Sequence, residues 1–461
     1  MKKVFALVSL LLVATLLLAA CGTTPTAAPT TQAPAETTQA PAETTEAPTA
    51  VQTGGEVEIF SWWVGPGEAD GLAAMVKVFN ADYPQYTFVN AAVAGGAGSN
   101  AKAVLATRLQ AGNPPDSWQA HAGQETIANY VAAGQVKPLD DFFASTGFAS
   151  VLPATLIPLI SADGHPYSVP VNIHRSNVMW YNPTVLSDAG VTLPDGGFKT
   201  WDDFFAACEK IKTAGKICLS MGNEGFTAMH LFENVMVGTM GADKWNGLWT
   251  PTPTTDWAGA DVTAGLANYA KALTYINSDA STLSDWQPAS KMVADGDAAF
   301  NIMGDWAYGY FANPDPNGLA LTPHTQFDWT PVPGTQGIFV FLSDSFVLPV
   351  GNKNPEGTMA WLTVAASKAG QEAFNPLKGS ICARTDCDPK LFSEYSQNAM
   401  ADWLSNVVVG SLTHGVVAAP AWQTQIDTAL KLFIASDLGT TAQADFQTAL
   451  AAACKSDGTC K

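Results

Sequence analysis

From residue 57 onward the chain switches between two hydrophobic periodicities, and that switching restricts its fold more than any other feature. Residues 57–63 read Val-Glu-Ile-Phe-Ser-Trp-Trp, a buried strand, and Gly65-Pro66-Gly67 breaks it. Leu72, Met75, Val76 and Phe79 then recur at i, i+3, i+4 and i+7, the stripe of an amphipathic helix that must end before Pro84. Residues 86–93 return to strand, and 101–110 to a helix stopped by Gly112. Strand–helix–strand–helix predicts an α/β fold on a mainly parallel sheet. Thr200-Trp201-Asp202-Asp203 reads as a capping box opening a helix over 204–212, and a further helix is expected over 361–374, ended by Pro376. Roughly four hundred residues follow Gly54, enough for a large core divided between two lobes.

The segment before this pattern belongs to a different physics. Lys2 and Lys3 precede an almost wholly apolar run over 4–18, about the length of a signal-peptide core and short for a membrane span. The run ends Leu18-Ala19-Ala20-Cys21-Gly22, an order that resembles the bacterial lipobox, with a signal peptide over 1–20 and Cys21 as the lipidated residue. Each buried acyl methylene contributes about 0.8 kcal/mol, so two or more chains hold a protein at a membrane surface. Residues 21–54 are then dominated by Thr, Pro, Ala, Glu and Gln, with a repeat at Gln32-Ala-Pro-Ala-Glu-Thr-Thr38 and Gln39-Ala-Pro-Ala-Glu-Thr-Thr45. Such a stretch cannot offset its ordering entropy by burial and is expected to act as a disordered tether, reaching at most about 100 Å as polyproline II. A plain cell-wall spacer would have the same composition.

The formal net charge is −19, and becomes −21 once Lys2 and Lys3 are removed with the signal. A surface of that sign repels phosphate backbones, which argues against nucleic acid as a partner. Charged residues are only 14% of the chain, beside 14 Trp, a balance that suits a neutral polar ligand. Of seven cysteines, Cys21 is set aside for lipid, leaving Cys208, Cys218, Cys382, Cys387, Cys454 and Cys460. Outside the cell these are expected as disulfides, and nearest-neighbour pairing (208–218, 382–387, 454–460) closes each loop locally among the fifteen arrangements that six cysteines allow. No C-x-x-C or neighbouring His supports zinc, and no metal or other cofactor is expected.

Familiar catalytic signatures are missing. Gly96-Ala97-Gly98-Ser99-Asn100-Ala101 has the spacing of a dinucleotide turn, but an exported chain has no such cofactor supply, and a Gly-rich turn feeding a helix explains it. Asp315-Pro316-Asn317-Gly318 lacks the closing Glu of a calcium loop and reads as a turn. What the sequence does contain is aromatic residues beside single polar side chains at the ends of elements. Trp62-Trp63 close the first strand, where α/β sheets bind ligands. Gln119 and His121, Asp305-Trp306, Asp344, and Thr413-His414 sit in similar surroundings. Indoles cover the apolar faces of a pyranose, and carboxylates, amides, Lys and His satisfy its hydroxyls.

Longer strings carry a resemblance: Glu58-Ile-Phe-Ser-Trp-Trp63, Pro170-Val-Asn-Ile-His-Arg-Ser-Asn-Val-Met-Trp-Tyr181, Phe300-Asn-Ile-Met-Gly-Asp-Trp306, Leu342-Ser-Asp-Ser-Phe346 and Asn375-Pro-Leu-Lys-Gly-Ser380. Over about 56–433 the chain resembles the extracellular solute-binding proteins of ABC importers, family 1, and within them the glucose/mannose type. The resemblance implies a periplasmic-binding-protein-like (type II) fold: two discontinuous α/β lobes joined by a hinge, with the ligand cleft between them. The first lobe would comprise 55–170 plus 303–343 and the second 171–302 plus 344–461, with crossings near Pro170-Val171-Asn172 and Asp344. It further implies ligand contacts from Trp62, Trp63, Glu68, Gln119, His121, Trp286, Trp306, Asp344, Lys378 and His414. Trp63, Trp286 and Trp306 would stack on the sugar, and the polar members would bond its hydroxyls. The loop 64–67 is one residue longer than the family's pattern, which leaves open whether Glu68 reaches the ligand.

The resulting expectation is a monomeric, lipid-anchored receptor outside the cell membrane that captures a hexose such as glucose, galactose or mannose. It would hand the sugar to permease subunits driven by a cytoplasmic ATPase, with no catalysis of its own. Two other readings stay open: the same role for a di- or oligosaccharide, and a secreted glycosidase, which would release product from an aryl glycoside. An adhesion or structural lipoprotein is a third class, and would show no small-ligand effect on melting.

Overall fold

A computed structural model describes residues 54–456, apart from 96–97, 223–224, 251, 315 and 317. The expected signal peptide, Cys21, the tether up to residue 53 and Cys460 lie outside the described residues, as do Asp315 and Asn317 of the weighed calcium loop.

The alternation opens as the sequence predicts. Strand β1 (Gly55–Phe60) is followed by helix α1 (Glu68–Asp82), β2 (Tyr86–Asn90), α2 (Ser99–Gln110) and β3 (Ser117–His121). Leu72, Met75 and Phe79 of α1 are buried, the stripe that the spacing required. The chain continues through β4 (Ser168–Pro170), β5 (Asn172–Arg175), β6 (Val178–Tyr181), α3 (Trp201–Thr213), β7 (Ile217–Ser220), α4 (Phe226–Leu248), α5 (Ala260–Leu273) and β8 (Ala298–Ile302). Thr200 caps α3 as expected, its hydroxyl accepting from the Asp203 N–H at 3.1 Å. The last part runs α6 (Ala307–Ala312), β9 (Asp328–Pro331), β10 (Ile338–Leu342), β11 (Asp344–Val347), α7 (Pro355–Ala366), α8 (Lys368–Lys378), β12 (Ile381–Cys382), α9 (Glu394–Ser405), β13 (Val407–Gly410), α10 (Pro420–Ile434) and α11 (Thr440–Ser456).

Three sheets organise these elements. The first has the order β2-β1-β3-β11-β4, the second β9-β6-β8-β7, and the third, β12-β5-β10-β13, lies on the passages between them. Each of the first two sheets has its own apolar core. One gathers Val57, Ile59, Met75, Phe79, Phe346, Trp361 and Phe374; the other gathers Phe204, Phe232, Leu266, Tyr269, Phe300 and Trp422. A mainly parallel sheet was expected, but the sheets are mixed. β1 pairs parallel with β2 and β3, whereas β11 runs antiparallel to β3 and β4, because it arrives from the opposite lobe.

That arrival also corrects the lobe boundaries. Residues 344–378 were expected in the second lobe. β11 instead hydrogen-bonds to β3 and β4, and α7 and α8 contribute Trp361, Leu362 and Phe374 to the first core. Conversely β9, at 328–331, belongs to the second sheet. The apolar run over 338–347 marks a crossing without showing its direction. The expected helix over 361–374 is likewise two helices. Ser367 is extended between them, and its Oγ accepts from the Gly370 N–H at 2.9 Å to cap α8, whose last turn contains Pro376.

Two expected disulfides are present, Cys208–Cys218 and Cys382–Cys387. Cys454 is disulfide-bonded as well.

Candidate functional site

A small cavity opens between the two lobes, with about 530 Å³ of atom-free space when the solvent at its mouth is counted. It collects residues from far apart in the chain. Trp62, Glu68, His121, Asp344 and Lys378 come from first-lobe elements, Phe226, Asp285, Trp286 and Gln287 from the second, and His174, Trp306 and His414 from the loops and strands that join them. Of the ten residues the sequence singled out, eight line the cavity: Trp62, Glu68, His121, Trp286, Trp306, Asp344, Lys378 and His414.

The other two are placed differently. Trp63 was expected to stack on a ligand. It is 1% exposed and packs inside the first core, edge-on to Phe346 and 4.5 Å from Phe374. Successive side chains of an extended segment point to opposite faces, so when Trp62 turns to the cleft Trp63 must turn inward. Gln119 stands one layer behind the wall. Its Nε2 donates to Asp344 Oδ1 at 2.8 Å and its Oε1 accepts from the Trp62 N–H at 3.2 Å. It orients two wall residues rather than forming the wall.

Three indoles shape the cavity. Trp62 rests on Gly98, where a Cβ would come within 2.9 Å of the ring; Gly98 also has φ +99° and forms the start of α2. Lys102 Nζ sits 5.4 Å from the centroid of the Trp62 ring. Trp306 is backed by Gly304, at which a Cβ would lie 2.1 Å from the indole. It meets His174, His230 and His414 edge-on at 5.4, 5.8 and 5.2 Å. Trp286 packs edge-on to Tyr310 at 5.6 Å.

Asp344 forms the polar centre. Its carboxylate accepts from Gln119 Nε2 at 2.8 Å and Asn172 Nδ2 at 2.7 Å, with His121 Nε2 at 3.6 Å and His174 Nε2 at 3.4 Å. Burial by itself would raise its pKa, but the adjacent His174, then His121 and Lys378, outweigh burial and hold the group far below the usual carboxylate range. It is therefore an ionised acceptor. Glu68 reaches the cavity despite the longer loop, and its Oε1 accepts from Lys378 Nζ at 2.8 Å in a buried ion pair.

Behind each ring nitrogen stands a second group. His121 Nδ1 lies 2.7 Å from Glu125 Oε2, which Lys102 Nζ also approaches at 2.7 Å. Burial would raise Glu125, but Lys102 and His121 bring it down to about 2. His174 Nδ1 bonds Asp305. His414 Nδ1 lies 2.8 Å from Ser411 Oγ, and burial followed by the charge of neighbouring cationic groups pushes its pKa well down, leaving a neutral ring. His230, Glu233 and His414 bring three potential ligand atoms within 4.8 Å of one another. The Glu233 oxygens already accept from Ser176 Oγ, Ser411 Oγ and the Thr413 N–H, at 2.5 to 3.0 Å, so the cluster satisfies its carboxylate without an ion. His174, Asn172, Phe226, Glu125 and Lys102 were not foreseen as site residues. The scarcity of histidine was the available signal, because four of the six in the chain converge here.

The family described as bacterial extracellular solute-binding protein matches residues 60–372. An uncharacterized ABC transporter extracellular-binding protein of Pyrococcus horikoshii is 30% identical over 384 residues, covering 81% of this chain and 82% of its own. A "probable sugar-binding periplasmic protein" of Mesorhizobium japonicum is 32% identical over 373 residues, covering 79% and 86%. Among solved structures, the bacterial solute receptor AcbH, described as preferring β-D-galactopyranose, superposes with a TM-score of 0.74 at 17% identity, over 87% of this chain and 99% of that one.

Proposed function

The chain belongs to the bacterial extracellular solute-binding proteins, and on that premise we propose that it is the sugar receptor of an ABC importer, that its ligand is a hexose, and that Cys21 carries the lipid holding it to the outer face of the cell membrane. One observation carries the ligand reading: Trp62, Trp286 and Trp306 line a cavity that also presents the polar side chains of Glu68, His121, His174, Lys378 and His414, with the ionised Asp344 at their centre. A pyranose matches both halves of that lining. Catalysis fits poorly. A glycosidase acid must hold a proton near neutral pH, while Asp344, the carboxylate at the centre of the cavity, is kept ionised.

A neighbouring cavity lined by Lys102, Phe226, Met229, Thr413, Gln423 and Asp427 shares Phe226 with the first, and this favours a longer sugar as the second reading.

Thermal melts with a panel of mono- and disaccharides separate the readings. A hexose at a hundred times its Kd adds about 2.7 kcal/mol and raises the melting temperature by several degrees. A shift with disaccharides only would transfer the assignment to the second reading, and no shift with any sugar would overturn both. For the anchor, Cys21→Ala is expected to leave the chain uncleaved or release it from the membrane fraction; unchanged membrane retention and lipid labelling would refute it.

A further inference from the structure

Chain segments between the two sheets bring three buried polar residues to a common point: His174 on β5, Asp305 after β8 and Asp344 at the start of β11. Asp305 is fully buried and stands outside the lining of the interlobe cavity. It is fixed by the Arg175 backbone, accepting from its N–H at 2.8 Å and donating its own N–H to the Arg175 carbonyl at 3.0 Å. Its other carboxylate oxygen bonds His174 Nδ1. The far side of that ring is unusual. His174 Nε2 is buried in the cavity wall, lies 3.4 Å from Asp344 Oδ2 in an ion-pair contact, and makes no aligned hydrogen bond among the described residues.

A buried ring nitrogen without an aligned acceptor, beside an ionised carboxylate, describes a place for a group that both donates and accepts. A sugar hydroxyl does both: its hydrogen serves Asp344 while its oxygen takes the Nε2–H. That arrangement works only if Nε2 carries the proton, and the carboxylate on Nδ1 favours the ring protonated on both nitrogens. Resting on the sugar-receptor reading above, we propose that Asp305 is a positioning residue for ligand capture, holding His174 from behind so that its Nε2–H meets a ligand hydroxyl shared with Asp344. Because Asp305 directly precedes Trp306, the same turn sets the stacking face and the donor together. The other charged or titratable groups facing His174 are Lys378, His121 across Asp344, and His414 across Trp306.

The test compares wild type, Asp305→Asn and His174→Gln by calorimetry with D-glucose, D-galactose and D-mannose from pH 5.5 to 9. The expected result is that Asp305→Asn weakens binding about tenfold to a hundredfold near pH 7.5. Its affinity should also fall toward alkaline pH from a lower pH than in wild type, because the imidazolium has lost its counter-charge. His174→Gln should remove that alkaline limb. A wild-type curve retained by Asp305→Asn, or one lowered in parallel at every pH as a merely structural role predicts, overturns the proposal. Long-range ¹H–¹⁵N spectra of the wild-type protein decide it independently of sugar or of how the variants fold. Both His174 nitrogens protonated at pH 7.5 support it, and a neutral ring refutes it. If no sugar binds the wild type, the receptor reading fails while these spectra still decide the relay.

Discussion

Replacing Asp344 by Asn removes one charge and changes no shape, so its consequences follow from hydrogen-bond accounting. The carboxylate now accepts from two amide donors, Gln119 Nε2 and Asn172 Nδ2. An Asn side chain offers one oxygen, so its own NH₂ must confront one of those donors. Neither neighbour can turn over without loss. Gln119 Oε1 accepts from the Trp62 N–H and Asn172 Oδ1 from the Asp344 N–H at 2.8 Å, so flipping either amide breaks a second bond. A buried donor left without an acceptor costs about 1–3 kcal/mol, which lowers the melting temperature by roughly a few degrees. Ligand affinity suffers separately. A hydrogen bond to a charged group contributes about 1.5–3 kcal/mol, so Kd should rise about 10- to 150-fold. Calorimetric titration at pH 7 with the best sugar of the panel, paired with a melt of the ligand-free variant, measures the two effects independently. An affinity within about twofold of wild type, together with an unchanged melt, would refute the account of Asp344 as the ionised centre of the site.

Trp306→Ala should abolish detectable sugar binding while the far-ultraviolet circular dichroism stays native; undiminished affinity would remove Trp306 from the site. Breaking the buried ion pair with Lys378→Met leaves Glu68 without its partner and should cost about 3–5 kcal/mol in denaturant unfolding, and a loss under 1 kcal/mol would contradict its burial. Cys208→Ser with Cys218→Ser opens a loop of separation 10, for which chain entropy gives about 3 kcal/mol; equal stability with and without the bridge would count against that model. Stability should also fall on acidification. Burial pushes His230 down to about 3 and His414 well down, so below about pH 6.5 the unfolded chain binds more protons than the folded one. Glu125, at about 2, and Asp344 contribute stability that is present above their unfolded values and is lost as pH drops toward their folded ones. His174, raised by Asp305 and Asp344 against the opposing effect of burial, acts in reverse, and its contribution fades as pH climbs through its folded value. Urea unfolding from pH 4 to 9 would show a flat profile between 7 and 4 if these assignments were wrong.

Local features of the fold were legible because they are written in local chemistry. The stripe of α1 and the Thr200 cap of α3 each depend on residues within one or two turns. The break at Ser367 escaped because no Gly or Pro marks it. A serine that can leave the helix to cap the next one looks, in sequence, like any helical serine. The direction of the crossing at 343–344 was unreadable for a different reason. The strand β11 is uniformly buried, and a buried strand carries no alternation to say which sheet it joins.

The site shows the same division. Trp62, Trp286 and Trp306 could be singled out because an indole beside isolated polar residues is an uncommon juxtaposition, whereas the role of Trp63 required knowing that its neighbour had already taken the cleft face. Gln119 was singled out as a ligand contact and Asn172 was not, but nothing in the sequence showed the positioning role of either, since each pins a carboxylate that lies 225 and 172 residues further along the chain. Asp305 and His174 are 131 residues apart and meet because the segment after β8 runs beside the end of β5, Asp305 donating its N–H to the Arg175 carbonyl. Groups that touch a ligand are thus selected for chemistry visible in their type, while groups that aim them are selected for position, which exists only after folding. The point where His174, Asp305 and Asp344 meet shows that division most plainly: His174 and Asp344 line the cavity, while Asp305, fully buried behind them, fixes the imidazole by its Nδ1.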